Sequence, residues 1–484
     1  MLYSMDLTVL NLALPRLSAD LQPSSSQLLW IVDIYGFLLA GSLITMGALG
    51  DRIGRRRLLL IGAAAFGVAS VFAAFSTSTE TLIASRALLG VAGATLAPST
   101  LSLIRNMFLD PAQRTTAIGI WVSSYSAGAA IGPLVGGVLL DQFWWGSVFL
   151  VGVPVMALLL IVGPALLPEF RDPEAGRLDL VSALLSLTSV LGVIYGLKRI
   201  AEDGLAWVPV ASIVAGLAIG LLFVRRQIRS ANPLIDLRLF RAPAFSASLA
   251  TYLFGTFIGF GAFVFIAQYL QLVVGLSPLE AGVWTLPWPV AFIVGSMLTP
   301  MIVRRIRASS VMVGGLVVAA IGFGLLTRLD GASGLAVVVI GSSIMSLGLA
   351  PVFILATDLI VGTAPPEQAG AASAISEMSS EFGGALGIAI LGSIGTAVYR
   401  SHLVIPDAVP GEVAAIARDT LGGAVAVAGS LPHDVAGELL RTARDAFANS
   451  FEAAAGVSAV IALFTAITAA ILLRHVRTNP GLER

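Results

Sequence analysis

The sequence predicts an all-α polytopic membrane protein, and three observations carry that reading. Of its 484 residues, 57% are hydrophobic and 12% charged, against about 25% charged in an ordinary soluble chain. The mean hydropathy is +0.93, and no water-soluble fold hides apolar surface on that scale. Apolar runs of about 20 residues, the length that crosses ~30 Å of hydrocarbon, recur from one end of the chain to the other.

These runs lie near 28–48, 58–76, 81–104, 115–139 and 146–167, then 179–198, 207–224, 246–272, 280–303, 310–328, 334–357, 370–398 and 452–473. The opening stretch from Leu2 to Pro15 is apolar but rises only about 22 Å as a helix. It reads as the outer part of a helix whose beginning is missing, and counting it gives fourteen spans. With the N-terminus inside, nineteen of the 28 Lys and Arg residues fall in inner connections or the C-terminal tail and eight on the other side. Arg86 lies within a span. The bias of basic residues toward the cytoplasm places both termini there.

Composition also excludes. The formal net charge is zero, so the chain as a whole has no electrostatic footprint for nucleic acid. There is no cysteine, hence no disulfide, thiolate metal site or cysteine nucleophile. The three histidines, His402, His433 and His475, fall outside the long apolar runs. No metal centre, cofactor or catalytic triad is expected, and the chain is not expected to be an enzyme. Two segments do not read as spans. Residues 225–245 are basic and amphipathic, as expected of a connector lying on an anionic membrane surface. Residues 399–450 read as a long external loop holding one or two amphipathic helices over the outer mouth.

The most specific motif is Gly47-Ala48-Leu49-Gly50-Asp51-Arg52-Ile53-Gly54-Arg55-Arg56-Arg57. Its glycines permit a tight turn and close helix approach. Asp51 is placed to cap a helix N-terminus or to pair with arginine. This string resembles the signature loop between the second and third helices of the major facilitator superfamily. The resemblance implies that Asp51, Arg52 and Arg55 form a latch that breaks and reforms as two halves of the molecule rock. It extends along nearly the whole chain, through Met5-Asp6-Leu7-Thr8, Trp30-Ile31-Val32-Asp33-Ile34-Tyr35 and Gly370-Ala371-Ala372-Ser373-Ala374-Ile375-Ser376-Glu377, and is closest to the fourteen-span drug:proton antiporter branch, the multidrug exporters.

In the fifth span, Gly128, Gly132, Pro133, Gly136 and Gly137 are similar to the motif that marks that branch. Small residues at this spacing allow close helix packing, and a proline removes a backbone donor and bends a helix, which suits a hinge and a seal. The implied fold is the major facilitator fold with two extra central helices: a six-helix bundle over 1–167, two linker spans and the amphipathic segment over 168–245, and a second bundle over 246–484. The implied setting is a bacterial cytoplasmic membrane, and the chain is expected to work as a monomer.

Ionisable groups inside spans are expensive and functional by default. Arg86 would meet an intramembrane carboxylate, and the resemblance gives it a part in proton relay; a helix-to-helix salt bridge is the plainer alternative. Asp6, Asp33, Glu377 and Glu381 are the candidate coupling acids. Glu377 and Glu381 are four residues apart and share a helix face. An acid that exchanges a proton for a cationic substrate is what antiport needs. Asp33 and Glu377, with Trp30, Tyr35 and Trp121 for cation–π contact, form the expected binding surface for lipophilic cations such as dyes, drugs and quaternary ammonium compounds.

Three departures from the family pattern stand out. The chain begins within its first helix, Gly152 replaces a frequent asparagine, and the second-half counterpart of the signature loop, Val303-Arg304-Arg305-Ile306-Arg307, lacks an acid. The tenth span has no carboxylate, which favours monovalent over divalent cations. Export of a native lipid or metabolite on the same fold, and a non-transporting membrane sensor, are the competing readings.

Overall fold

A computed structural model describes residues 2–23, 25–171, 178–204, 206–230, 233–329 and 334–474. They form helices α1 (Leu2–Leu21), α2 (Ser25–Ile53), α3 (Arg55–Ala74), α4 (Thr79–Met107), α5 (Pro111–Gln142), α6 (Ser147–Leu150), α7 (Gly152–Leu166), α8 (Leu180–Asp203), α9 (Trp207–Arg229), α10 (Pro243–Gln268), α11 (Pro278–Thr285), α12 (Pro287–Ile302), α13 (Ala308–Leu325), α14 (Gly334–Thr363), α15 (Ala369–His402), α16 (Gly411–Asp419), α17 (Leu421–Ala428) and α18 (His433–Leu472). No strand occurs among the described residues.

Twelve helical stretches among the described residues are long and apolar enough to cross a membrane. The remaining two of the fourteen expected positions are α1 and α5, which pack on each other. Helix α1 does not stop at Pro15. It continues for 20 residues to Leu21, because proline is tolerated where neighbouring helices satisfy the freed backbone groups. Its polar end is anchored: the Trp145 indole donates to Asp20 at 2.7 Å.

Local signals set several boundaries. Ser78 and Thr81 form a capping box at the start of α4. Asp110 caps α5 ahead of Pro111, and Ser277 with Glu280 boxes α11. In one half of the molecule α2 and α3 pack on α4, and α7 on α3. In the other, α10 packs on α14 and α15, α13 on α14 and α18, and α12 on α14. The halves meet where α2 and α4 touch α15 and where α5 touches α12 and α14.

Helices α8 and α9 form a hairpin held by small residues, the usual basis of close packing in lipid. Ser189 donates to the Gly216 carbonyl and Ser212 to the Gly192 carbonyl, each at 2.8 Å. A Cβ on Gly216 would lie 2.9 Å from the Ser189 oxygen. Helix α8 also packs against both α2 and α15, whereas α9 exposes Val210, Val214, Leu217 and Leu221.

The connectors take definite form. In the segment after α9, Leu234, Ile235 and Leu239 are buried while Arg238 and Arg241 are exposed. Buried Gln227 accepts from the Leu234 amide at 2.7 Å and fixes the fold-back. The long loop before the last span is shorter than expected, spanning 403–432 with α16 and α17. Residues 433–450 instead begin the 40-residue helix α18, about 60 Å long. Leu439, Ala443, Ala446, Phe447, Ser450, Phe451 and Ala454 are buried at helical spacing, so the apolar face of the last span runs on past the sequence signal for its start.

At the start of α8, Asp179 accepts from Arg226 Nε at 2.8 Å and from the Ser182 hydroxyl at 2.7 Å. The Arg226 hydrogen bond, with that of Ser182 behind it, holds the Asp179 carboxyl well below the usual carboxylate range against the opposing effect of burial. A carboxyl depressed in the folded state stabilises above its unfolded pKa of about 4 and loses that contribution as pH falls through the folded value. Asp179→Asn keeps a cap acceptor but removes the charge that pairs with half-exposed Arg226, and should therefore lower thermal stability in detergent at pH 7 by up to about 1 kcal/mol, the range of an exposed ion pair. The deficit should be unchanged at pH 5 and shrink only in strong acid, as checked by melting curves across pH.

Candidate functional site

Most of the signature-loop arginines lie at the end of the bundle where α2 passes into α3, here called the basic end. Asp51 is 6% exposed and accepts from the Gly370 and Ala371 amides at 3.0 and 2.9 Å. These are the first free N–H groups of α15, which belongs to the other half. A helix start offers unpaired donors and a positive dipole end, and the acceptor here comes from across the interface. Arg55, 1% exposed, donates to Asp51 from Nε and Nη2 at 3.0 and 2.8 Å and from Nη2 to the Pro366 carbonyl at 2.6 Å. Asp51 both caps a helix and pairs with arginine, the two possibilities its position offered.

Glycine is required where the halves touch. A Cβ on Gly47 would lie 2.5 Å from the Gly370 oxygen, and one on Gly370 would lie 2.4 Å from Asp51 Oδ1. Gly54 turns α2 into α3 at φ 110°, a conformation that favours glycine. Glu169 then accepts from the Arg56 and Arg57 amides, each at 3.1 Å, capping α3. Arg52 donates to the Ala48 carbonyl at 2.9 Å and to that of Pro233 at 3.5 Å, so it reaches the connector that follows α9.

A second cross-half lock lies beside the first. Arg114 and Thr115 on α5 donate to Asp358 on α14 at 2.5 and 2.6 Å. Asp358 is 7% exposed and fully engaged by these two partners. Arg105 donates to the Val361 carbonyl at 3.3 Å.

Deeper in the bundle, Arg86 is fully buried. Its Nε donates to the Ile31 carbonyl at 3.2 Å, and its guanidinium lies 4.6 Å from the Tyr35 ring centroid. Tyr35 is 0% exposed; it supports the arginine and presents no surface to a ligand. The side chains of Asp6 and Pro133 lie outside the described residues.

Asp33 has a partner on another helix. Lys198, within α8, donates its ammonium to Asp33 Oδ1. The same Nζ sits 4.8 Å from the Phe37 ring centroid. Phe37 meets Trp30 and Tyr195 edge-on, with centroids 6.3 and 6.4 Å apart. Lys198 is the last residue of the span read at 179–198, and α8 runs on to Asp203, so the lysine lies within the helix and not at its end.

On α15, Glu377 and Glu381 interact electrostatically with each other and with Tyr125 of α5 and Tyr252 of α10. Glu377 Oε1 is buried, with no hydrogen-bond partner among the described residues. Tyr252 stands edge-on to Phe353 at 5.4 Å, and Phe353 contacts Phe292 at 5.7 Å. Trp121, which packs in the same region, donates to Thr100 Oγ1 at 3.0 Å. Two carboxyls and a set of aromatic rings thus lie where the halves face each other.

In the fifth-span motif, Gly128 and Gly132 are buried. A Cβ on Gly136 would lie 2.7 Å from Val9, so this glycine seats α1 on α5, whereas one on Gly137 would meet nothing within 4 Å. Helix α5 continues through position 133. Lys198 and Glu169 escaped the sequence reading. A lone lysine late in an apolar run was the available signal for the first; nothing in the sequence pairs the second with α3.

A family model described as the Major Facilitator Superfamily matches residues 1–388. The chain is 45% identical over 477 residues to the multidrug efflux pump LfrA of Mycolicibacterium smegmatis, covering 98% of this chain and 94% of that protein. It is 37% identical over 477 residues to the methyl viologen resistance protein SmvA of Salmonella typhimurium, covering 96% and 94%. Its fold resembles the crystal structure of the human organic anion transporter MFSD10, with TM-score 0.57 and 15% identity over 92% of this chain and 86% of that one.

Removing one member of a buried ion pair costs about 3–5 kcal/mol, so Asp51→Asn should open the basic end. Because the chain has no cysteine, Ala372→Cys, at a fully buried position of α15, supplies a clean reporter. Its alkylation by a water-soluble maleimide should be several-fold faster in the Asp51→Asn background; equal rates would show that Asp51 does not hold the interface shut.

Proposed function

Because the chain belongs to the Major Facilitator Superfamily, we propose that it exports lipophilic cations from a bacterial cell across the cytoplasmic membrane in exchange for protons, by alternating access. The observation that carries this reading is the pair of carboxyls, Glu377 and Glu381, facing Tyr125 and Tyr252 between the halves. A carboxylate binds a proton or a cation but not both at once, so protonation and substrate occupancy exclude each other there. Aromatic faces add attraction for a flat cation. Relatives named for multidrug efflux and for methyl viologen resistance fit this substrate chemistry, since methyl viologen is a flat aromatic cation.

In this reading the basic end is cytoplasmic, as are both termini, and the protein acts as a monomer. The Asp51 latch and the Arg114 to Asp358 lock close the inner side while substrate leaves outward. Asp6 and Arg86 serve the proton path from the first bundle. Gly128, Gly132 and Gly136 let α5 pivot closely against α1, a part that the open space around Gly137 does not support for that residue.

The test is dye accumulation by reconstituted protein under an imposed proton gradient. Glu377→Gln should reduce gradient-driven ethidium transport at least tenfold, and Glu381→Gln should weaken it less. Undiminished transport in Glu377→Gln would remove that residue from the coupling, and wild-type protein showing no gradient-dependent flux would overturn the export reading itself.

A further inference from the structure

Among 28 basic residues the chain has a single lysine, and it forms the ion pair with Asp33. Every other cation is a guanidinium, planar and always charged, whereas an ammonium is a compact charge on a flexible four-carbon arm. The ammonium is bound as a small organic cation is bound. A carboxylate takes one side of it and the Phe37 face another, at 4.8 Å. Trp30 and Tyr195 brace that ring.

The surrounding cluster draws on three helices. Ala40 of α2 and Val190 and Ile194 of α8 pack with Phe37, and Met378 and Phe382 of α15 close the cluster. Met378 and Phe382 each follow one of the two acids, Glu377 and Glu381, so the Asp33 cage adjoins the acid pair. The lysine side chain is 38% exposed and the Asp33 side chain 15%. The pair is therefore reachable and is not sealed in the core.

We propose that Lys198 is a tethered stand-in for the transported cation. It occupies the Asp33 cage when no substrate is present, and an entering lipophilic cation displaces it. This rests on the cation-export reading and adds the competition to it: Asp33 is never left as a bare carboxylate within the bundle, and substrate must outbid an intramolecular ammonium. A competitor on a short arm has a high effective concentration, which sets a threshold that weak cations do not pass.

Two experiments test it. Purified protein is titrated with ethidium and read by fluorescence anisotropy. Lys198→Met, which keeps the length of the side chain without its charge, should bind at least tenfold more tightly than wild type; Lys198→Arg should not; and adding Asp33→Asn to Lys198→Met should abolish the gain. Equal binding by wild type and Lys198→Met overturns the role of Lys198 while leaving cation export standing, and dye bound by neither overturns both.

The second experiment needs no variant. Acetylation of the single lysine by a water-soluble succinimidyl ester is followed by mass spectrometry. Saturating tetraphenylphosphonium should accelerate it several-fold as the ammonium leaves Asp33. An unchanged or slower rate overturns displacement.

Discussion

The carboxylate of Asp51 at the N-terminus of α15 is the interaction on which the junction of the two halves is built. The first amides of a helix must find acceptors, and two of those of α15 find theirs in the opposite half. Arg55 then fixes the carboxylate and reaches on to the Pro366 carbonyl, so one side chain pair is bonded to both halves. The backbones of Gly47 and Gly370 touch only because neither carries a side chain. In the proposed transport cycle this arrangement parts and reforms; where water replaces each lost partner, the net worth of a hydrogen bond is only about 1 kcal/mol.

Within the membrane no such replacement exists, and each charge has a different solution. Arg86 is wholly enclosed, against the Ile31 carbonyl and the Tyr35 and Phe149 rings. Asp33 is neutralised by an ammonium from α8. Glu377 and Glu381 sit together among tyrosines, where one buried carboxyl oxygen has no donor among the described residues. The acid pair puts two carboxyls side by side where a cation can replace a proton, and so it carries the functional argument.

Much of this was legible in the sequence. Span positions followed from hydropathy, and the Gly and Asp spacing after the second span announced a capping acid. Glu377 and Glu381 shared a face because helical geometry gives a four-residue spacing no other choice. What escaped depended on partners distant in sequence. The pairing of Asp358 escaped because nothing local marks Arg114 and Thr115 of another helix as its partners. Lys198 closes the apolar run read at 179–198, and nothing local points it at Asp33 of α2. The start of α18 was placed too late because charged residues on its exposed face masked a continuous buried stripe from Leu439 onward.

The two additional helices acquire a role from this geometry. Helix α8 packs on α2 and α15, the two helices that the Asp51 latch joins at the basic end. The latch sits near the C-terminus of α2 and Asp33 near its N-terminus, about 27 Å apart along a straight helix. Because α8 touches both α2 and α15, any motion that separates Asp51 from Gly370 must alter the contact of α8 with α2 or with α15. The Asp33 to Lys198 pair joins α2 to α8 and so bridges one of those two contacts.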